Sequence, residues 1–171
     1  MIVIVIGPSG AGKTTVGSAL ARSLGWPFYE GDNFHPPENV KRMKAGVPLG
    51  DAERAPWLAA LADLVSRLAQ EGLSAVVTCS ALKRAYRAAL VGGEESAAAA
   101  RFVFLDAPPE VLAERLAKRR GHFFPQSLLP SQLADLEPPH EDEPAPVTSV
   151  DSSQPPDEIV RRILDELGTL S

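Results

Sequence analysis

The sequence predicts an α/β fold, a parallel sheet of about five strands with helices on both faces. Three observations carry that reading. Ile2-Val3-Ile4-Val5-Ile6 is an uninterrupted β-branched run, and a strand apolar at every position suits burial on both faces, as in a parallel sheet. Apolar runs of this kind alternate along the chain with segments whose apolar residues recur at helical spacing, which is the pattern of βαβ units. The first strand runs straight into a glycine-rich turn, Gly7 to Gly12, and then into a helix.

Taken in order, the first helix is expected over Lys13 to Leu24, with Val16, Leu20 and Leu24 on one side and Gly25 as its stop. Pro27-Phe28-Tyr29-Glu30 reads as a short second strand ending at Gly31-Asp32. Residues 33–50 are polar and interrupted by Pro36, Pro37 and Pro48, with a short helix around Glu38 to Lys44. Asp51 is placed as the N-cap of a long helix. Its Trp57, Leu58, Leu61, Leu64, Val65 and Leu68 follow the helical period, and Gly72 ends it. Leu73 to Cys79 is the third strand, Ala81 to Leu90 a helix, and Gly92 to Ala100 a stretch of low information. Arg101 to Asp106 is the fourth strand. Pro108 opens a helix that runs to about Arg120. Gly121 to Pro130 is irregular and Ser131 to Leu136 a short helix. Glu137 to Pro146, with four prolines and four acids, reads as a solvated loop. Pro146 to Val150 is a weak fifth strand, and Asp157 caps a last helix with an apolar stripe of Ile159, Val160, Ile163, Leu164 and Leu167. No internal repeat is visible, and 1–171 reads as one domain.

Composition narrows the function. The 171 residues are 44% hydrophobic and 23% charged, an ordinary globular balance, with a net charge of -5. That sign argues against a nucleic-acid partner. Two basic clusters, Lys83-Arg84-Arg87 and Arg115-Lys118-Arg119-Arg120, stand out in an acidic chain. Each is either a solvated helix face or the seat of an anion. A single cysteine, Cys79, forbids an internal disulfide. Met1 to Ile6 is too short to span a bilayer and lacks a charged leader. A cytoplasmic protein with no membrane partner is expected.

Gly7-Pro8-Ser9-Gly10-Ala11-Gly12-Lys13-Thr14 fills every position of G-x-x-x-x-G-K-[ST], between a buried strand and a helix. Glycines allow successive backbone N–H groups to turn inward on a phosphate, and the helix N-terminus adds partial positive charge. Lys13 can reach the β and γ phosphates, the Thr14 hydroxyl can bind Mg²⁺, and Thr15 continues the phosphate cradle. The motif marks nucleotide binding without choosing between hydrolysis, transfer and binding alone.

Glu30-Gly31-Asp32 ends the second strand, and ligands of open α/β sheets sit beyond the carboxyl ends of strands. The pair reads either as a turn with helix-capping acids or as chemistry. In the second case Asp32 is the base for an attacking hydroxyl and Glu30 helps hold Mg²⁺ through water. The three histidines, His35, His122 and His140, are scattered, and zinc spacing is absent.

Beyond these motifs the chain resembles the gluconokinases of the small P-loop type, relatives of shikimate kinase. The matching blocks are Gly31-Asp32-Asn33-Phe34-His35-Pro36 with Asn39, Lys41 and Met43, then Gly46-Val47-Pro48-Leu49. Asp51 and Arg54-Ala55-Pro56-Trp57-Leu58 follow, then Cys79-Ser80-Ala81-Leu82-Lys83 with Tyr86-Arg87. The last block is Arg115 and Arg119-Arg120-Gly121-His122-Phe123-Phe124, with Leu128-Leu129, Ser131-Gln132 and Leu136-Glu137. Glu30 stands where the family commonly carries aspartate. The resemblance implies transfer of the ATP γ-phosphoryl group to the 6-hydroxyl of D-gluconate. It also implies an adenylate-kinase-like P-loop architecture with a lid, here 119–136, an acceptor segment over 33–50, and often a homodimer. By the same resemblance Arg54 receives the acceptor carboxylate, and its planar fork suits a bidentate contact. His35 and Lys83 are further acceptor contacts, each with a structural alternative. Arg115 and Arg119 lie on one helix face and supply charge to the transferred group, with His122 as a lid contact. The rival readings are a kinase of shikimate or of a nucleoside monophosphate, and a nucleotide-dependent switch protein with no acceptor.

Overall fold

The computed structural model describes residues 1–119 and 125–168. Five parallel strands form the sheet: β1 (Ile2–Ile6), β2 (Phe28–Tyr29), β3 (Ala75–Thr78), β4 (Ala100–Asp106) and β5 (Val147–Asp151), in the order β2-β3-β1-β4-β5. Ile4 lies opposite Val77 on one side and Phe102 on the other. The helices are α1 (Lys13–Leu24), α2 (Pro37–Lys44), α3 (Asp51–Gln70), α4 (Arg84–Leu90), α5 (Glu94–Ala99), α6 (Pro109–Lys118), α7 (Leu129–Asp135) and α8 (Pro156–Gly168). Single turns of 3-10 helix cover Gly31–Phe34 and Gln126–Leu128.

Side chains alternate across a strand, so the continuous apolar β1 serves two cores. Ile2, Ile4 and Ile6 pack under α3 and α4 with Trp57, Leu61, Tyr86 and Leu90. Val3 and Val5 pack on the other face with Val16 and Leu20 of α1, Leu112 of α6, and Ile159 and Ile163 of α8. The predicted layers are therefore present, and every strand points its carboxyl end the same way. Among the described residues no helix is long and apolar enough to cross a membrane.

Several predicted boundaries move, each for a local reason. The N-cap of α3 is Gly50, not Asp51, because the Glu53 carboxylate turns back to accept the Gly50 N–H at 2.9 Å. That leaves Asp51 free to pair elsewhere. The helix expected from Ala81 begins at Arg84, since Ala81 is held at φ 40° and Lys83 is extended. The low-information stretch after Gly92 contains α5. The helix expected to reach Arg120 ends at Lys118, and the one expected from Ser131 starts two residues earlier at Leu129.

The loop 137–146 is not simply solvated. Glu143 is buried against Arg87, with side chains 2% and 1% exposed, and accepts from Nε at 2.8 Å and Nη2 at 2.6 Å. Arg87 Nη1 also donates to the carbonyls of Ala81 and Leu82. This buried pair therefore fixes the turn at the carboxyl end of β3. Gly31 makes another close approach there: a Cβ at that position would lie 1.9 Å from the Thr78 carbonyl oxygen.

Candidate active site

The turn between β1 and α1 is built for close backbone approach. Gly10 has φ 87°, and a Cβ there would meet the Leu112 carbonyl oxygen at 2.8 Å. The loop wraps a cavity of about 390 Å³ lined by residues 9–16 together with Asp32, Arg115, Arg119, Ser152 and Gln154. Gly7 and Pro8 lie behind the lining. Gly7 donates its N–H to Ser80 O, and Pro8 O accepts the Lys13 ammonium at 3.0 Å. Burial pulls the pKa of Lys13 down from its ordinary value, against the opposing pull of Asp32 and then Glu30. Burial likewise pushes the neighbouring Cys79 thiol up to about 12, so it stays protonated and is not a nucleophile.

Glu30 stands at the end of β2, facing the start of α1. One carboxylate oxygen accepts from the Thr14 hydroxyl at 2.6 Å and the other from the Thr78 hydroxyl. The two residues expected to serve Mg²⁺ are thus neighbours. Among the described residues no cluster of three or more His, Cys, Asp or Glu could hold a metal alone. A hydroxyl and a carboxylate beside a phosphate loop fit a hard cation that takes most of its ligands from phosphate and water. The turn that carries Asp32 follows along the same strand end. Thr78 Oγ1 accepts the Gly31 N–H at 3.0 Å, and Trp57 Nε1 donates to Gly31 O at 2.8 Å. Both backbone groups of Gly31 are fixed, so the 3-10 turn carrying Asp32 is fixed too.

A second cleft opens beside the first. Ser9, Lys13 and Asp32 line both. His35, Arg54, Trp57, Ser80, Ser131 and Gln132 line the second alone. His35 stacks on Trp57 at 4.2 Å with planes 13° apart, and its Nδ1 lies 3.4 Å from Asn39 Nδ2. Burial lowers its pKa to about 4, with Asp32 pulling upward and Arg54 downward, so the imidazole is neutral near pH 7. Arg54 is buried in α3. Its Nη1 donates to Tyr86 Oη at 3.0 Å and to Asp135 Oδ2 at 2.8 Å. Nε and Nη2 have no hydrogen bond among the described residues, and Arg54 lines the cleft.

The predicted residues thus fall into groups. Lys13, Thr14, Thr15, Glu30 and Asp32 converge on the phosphate loop, with Arg115 and Arg119 on the far wall of its cavity. Arg115 also braces that wall, donating to Gly10 O at 3.4 Å and Ser152 O at 2.6 Å. His35 and Arg54 converge on the second cleft. Lys83 does not: it lines neither space, and its ammonium is taken up by Asp51 at 2.9 Å and Asp135 at 3.7 Å. Arg120 and His122 lie outside the described residues. Residue reasoning gave no role to Thr78, Trp57, Gln132 or Asp135. Gln132 and Trp57 stood inside resembling blocks, but no local spacing ties them to residues 9 and 31.

An AAA domain family model matches residues 2–139. The gluconokinase of Gluconobacter oxydans is 49% identical over 162 residues, covering 95% of this chain and 88% of the relative. The chain belongs to the gluconokinase family. Among solved structures, a gluconokinase from Sinorhizobium meliloti has 48% identity and a TM-score of 0.84, covering 98% of this chain and 91% of that one. An unliganded sugar kinase from a Janibacter species has 44% identity and a TM-score of 0.89, covering 98% and 94%. The resemblance carried by the blocks from Gly31 to Glu137 is therefore a true family relationship, and a P-loop kinase fold goes with it.

Proposed function

We propose that this member of the family phosphorylates gluconate, transferring the γ-phosphoryl group of ATP to the 6-hydroxyl and releasing ADP. The observation that carries the reading is the seam at Ser9, Lys13 and Asp32, where a phosphate-binding cavity and a polar cleft share their walls. A kinase needs two substrates held end to end with a base between them.

The residues then take these parts. Backbone N–H groups of the phosphate loop and Lys13 hold the triphosphate. Thr14 and Glu30 would hold Mg²⁺, which would offset the negative charge of the phosphate oxygens. Arg54 receives the carboxylate of gluconate through Nε and Nη2, and neutral His35 bonds a hydroxyl of the sugar acid. Asp32 accepts the proton of the 6-hydroxyl as its oxygen bonds the γ phosphorus and the bond to the bridging oxygen of ADP breaks. Arg115 and Arg119 offset the charge that spreads over the transferred group. The lid role expected of segment 119–136 belongs to this reading as well, its residues 120–124 lying outside the described residues. We assign Lys83 to holding Asp135 and Asp51 rather than to touching gluconate, because both acids already occupy it.

ADP release measured with gluconate, with shikimate and without acceptor tests the reading. Stimulation by gluconate alone is expected. Stimulation by shikimate, or release indifferent to any acceptor, would contradict it.

A further inference from the structure

Gln132, on α7, reaches the seam between the two spaces and has no part in the scheme above. It is 8% exposed and lines the acceptor cleft. Its Oε1 accepts the backbone N–H of Ser9 at 2.8 Å. Ser9 belongs to both walls, so this bond sits where the two substrates must meet. Because Ser9 contributes a donor, the amide orientation is settled: oxygen toward the loop, nitrogen away from it. Nε2 has no hydrogen-bond partner among the described residues. It is also absent from the polar atoms sealed away without one, and its residue lines the cleft. Three residues on, Asp135 ties the end of the same helix to Arg54. The amide is therefore held from two sides.

We propose that Gln132 is a further catalytic residue, its oxygen holding Ser9 and its nitrogen donating to an oxygen of the γ-phosphoryl group in transit. As the phosphorus leaves the ADP oxygen and bonds the acceptor oxygen, negative charge spreads over its peripheral oxygens. A pre-aimed neutral donor stabilises that charge without requiring another buried cation. Anchoring the same amide to Ser9 makes the donor move with the loop that holds the triphosphate. The inference rests on the kinase reading.

The test compares wild type, Gln132→Ala and Gln132→Glu in steady-state phosphorylation of gluconate from pH 5.5 to 8.5, with nucleotide affinity measured by titration with an unreactive ATP analogue. Gln132→Ala is expected to lose about 10²-fold in kcat while analogue affinity stays within about threefold. Gln132→Glu keeps the acceptor for Ser9 but cannot donate while ionised. Protonation returns an O–H donor, so its kcat relative to wild type is expected to rise at least roughly tenfold as pH falls across the range. A role confined to packing would leave that ratio flat. A flat ratio, or Gln132→Ala within about twofold of wild-type kcat, overturns the inference. If Gln132→Ala does not fold, the pH profile of Gln132→Glu decides alone. A wild-type protein without gluconate-dependent ADP release overturns the kinase reading and this inference with it, whereas an active wild type with an unimpaired Gln132→Ala overturns this inference only.

Discussion

Among the described residues, Asp32 is fixed through its neighbour rather than through its own carboxylate. Thr78 and Trp57 hold the two backbone groups of Gly31, and the next residue points its acid at the wall shared with Lys13. Asp32→Asn should therefore leave the loop and its nucleotide affinity intact while lowering kcat about 10²- to 10⁴-fold. Analogue titration alongside steady-state rates checks this, and near-normal turnover would remove Asp32 as the base. His35 gives a separate prediction. Its folded pKa, about 4, lies below the ordinary 6.5. Between those values the unfolded chain binds a proton that the folded chain does not. The stability from neutral His35 is thus complete above about pH 6.5 and is lost as pH falls toward 4. Thermal melts across that window should show a shallower decline for His35→Gln than for wild type; equal slopes would count against the assignment. At this scale the phosphate loop was legible in the sequence because its chemistry lies within eight consecutive residues, Gly7 to Thr14. Lys83 was read as either an acceptor contact or a structural lysine, because its position beside Ser80 suggested a ligand edge. Only the fold reveals that Asp51 and Asp135 claim its charge.

The elements show where local reading ran out. The strands and the long helices followed from periodicity, since each buries a face that its own residues define. The loop 137–146 was read as solvated because its composition is proline and acid, yet Glu143 finds Arg87 56 residues earlier in the chain. Arg87, held by Glu143, donates to the Ala81 and Leu82 carbonyls, which braces the turn between Ser80, on the acceptor cleft, and the start of α4. Removing one charge strands the other in a dry site. Glu143→Gln should cost about 3–5 kcal/mol, lowering Tm by roughly 10 °C in a domain of this size. The joint replacement Arg87→Met, Glu143→Leu should recover part of that loss. A single variant that melts with wild type would contradict the bracing role.

At the scale of the molecule, the strand order puts β1 at the centre, with β3 and β4 on its flanks and β2 beyond β3. That order brings the loop after β1 beside the acids that follow β2. The sequence made the sheet and the family legible. It could not supply the lateral order that joins residue 9 to residue 132, or residue 54 to residue 135, because those contacts exist only once α7 has docked. The central claim is that the two spaces are halves of one reaction site. A crystal structure with gluconate and an unreactive ATP analogue tests it most directly. The account predicts the 6-hydroxyl within about 2.6–3.2 Å of an Asp32 carboxylate oxygen, in line with the γ phosphorus, and the gluconate carboxylate on Arg54. Gluconate bound away from Asp32, or a triphosphate whose γ end points out of the shared wall, would contradict it.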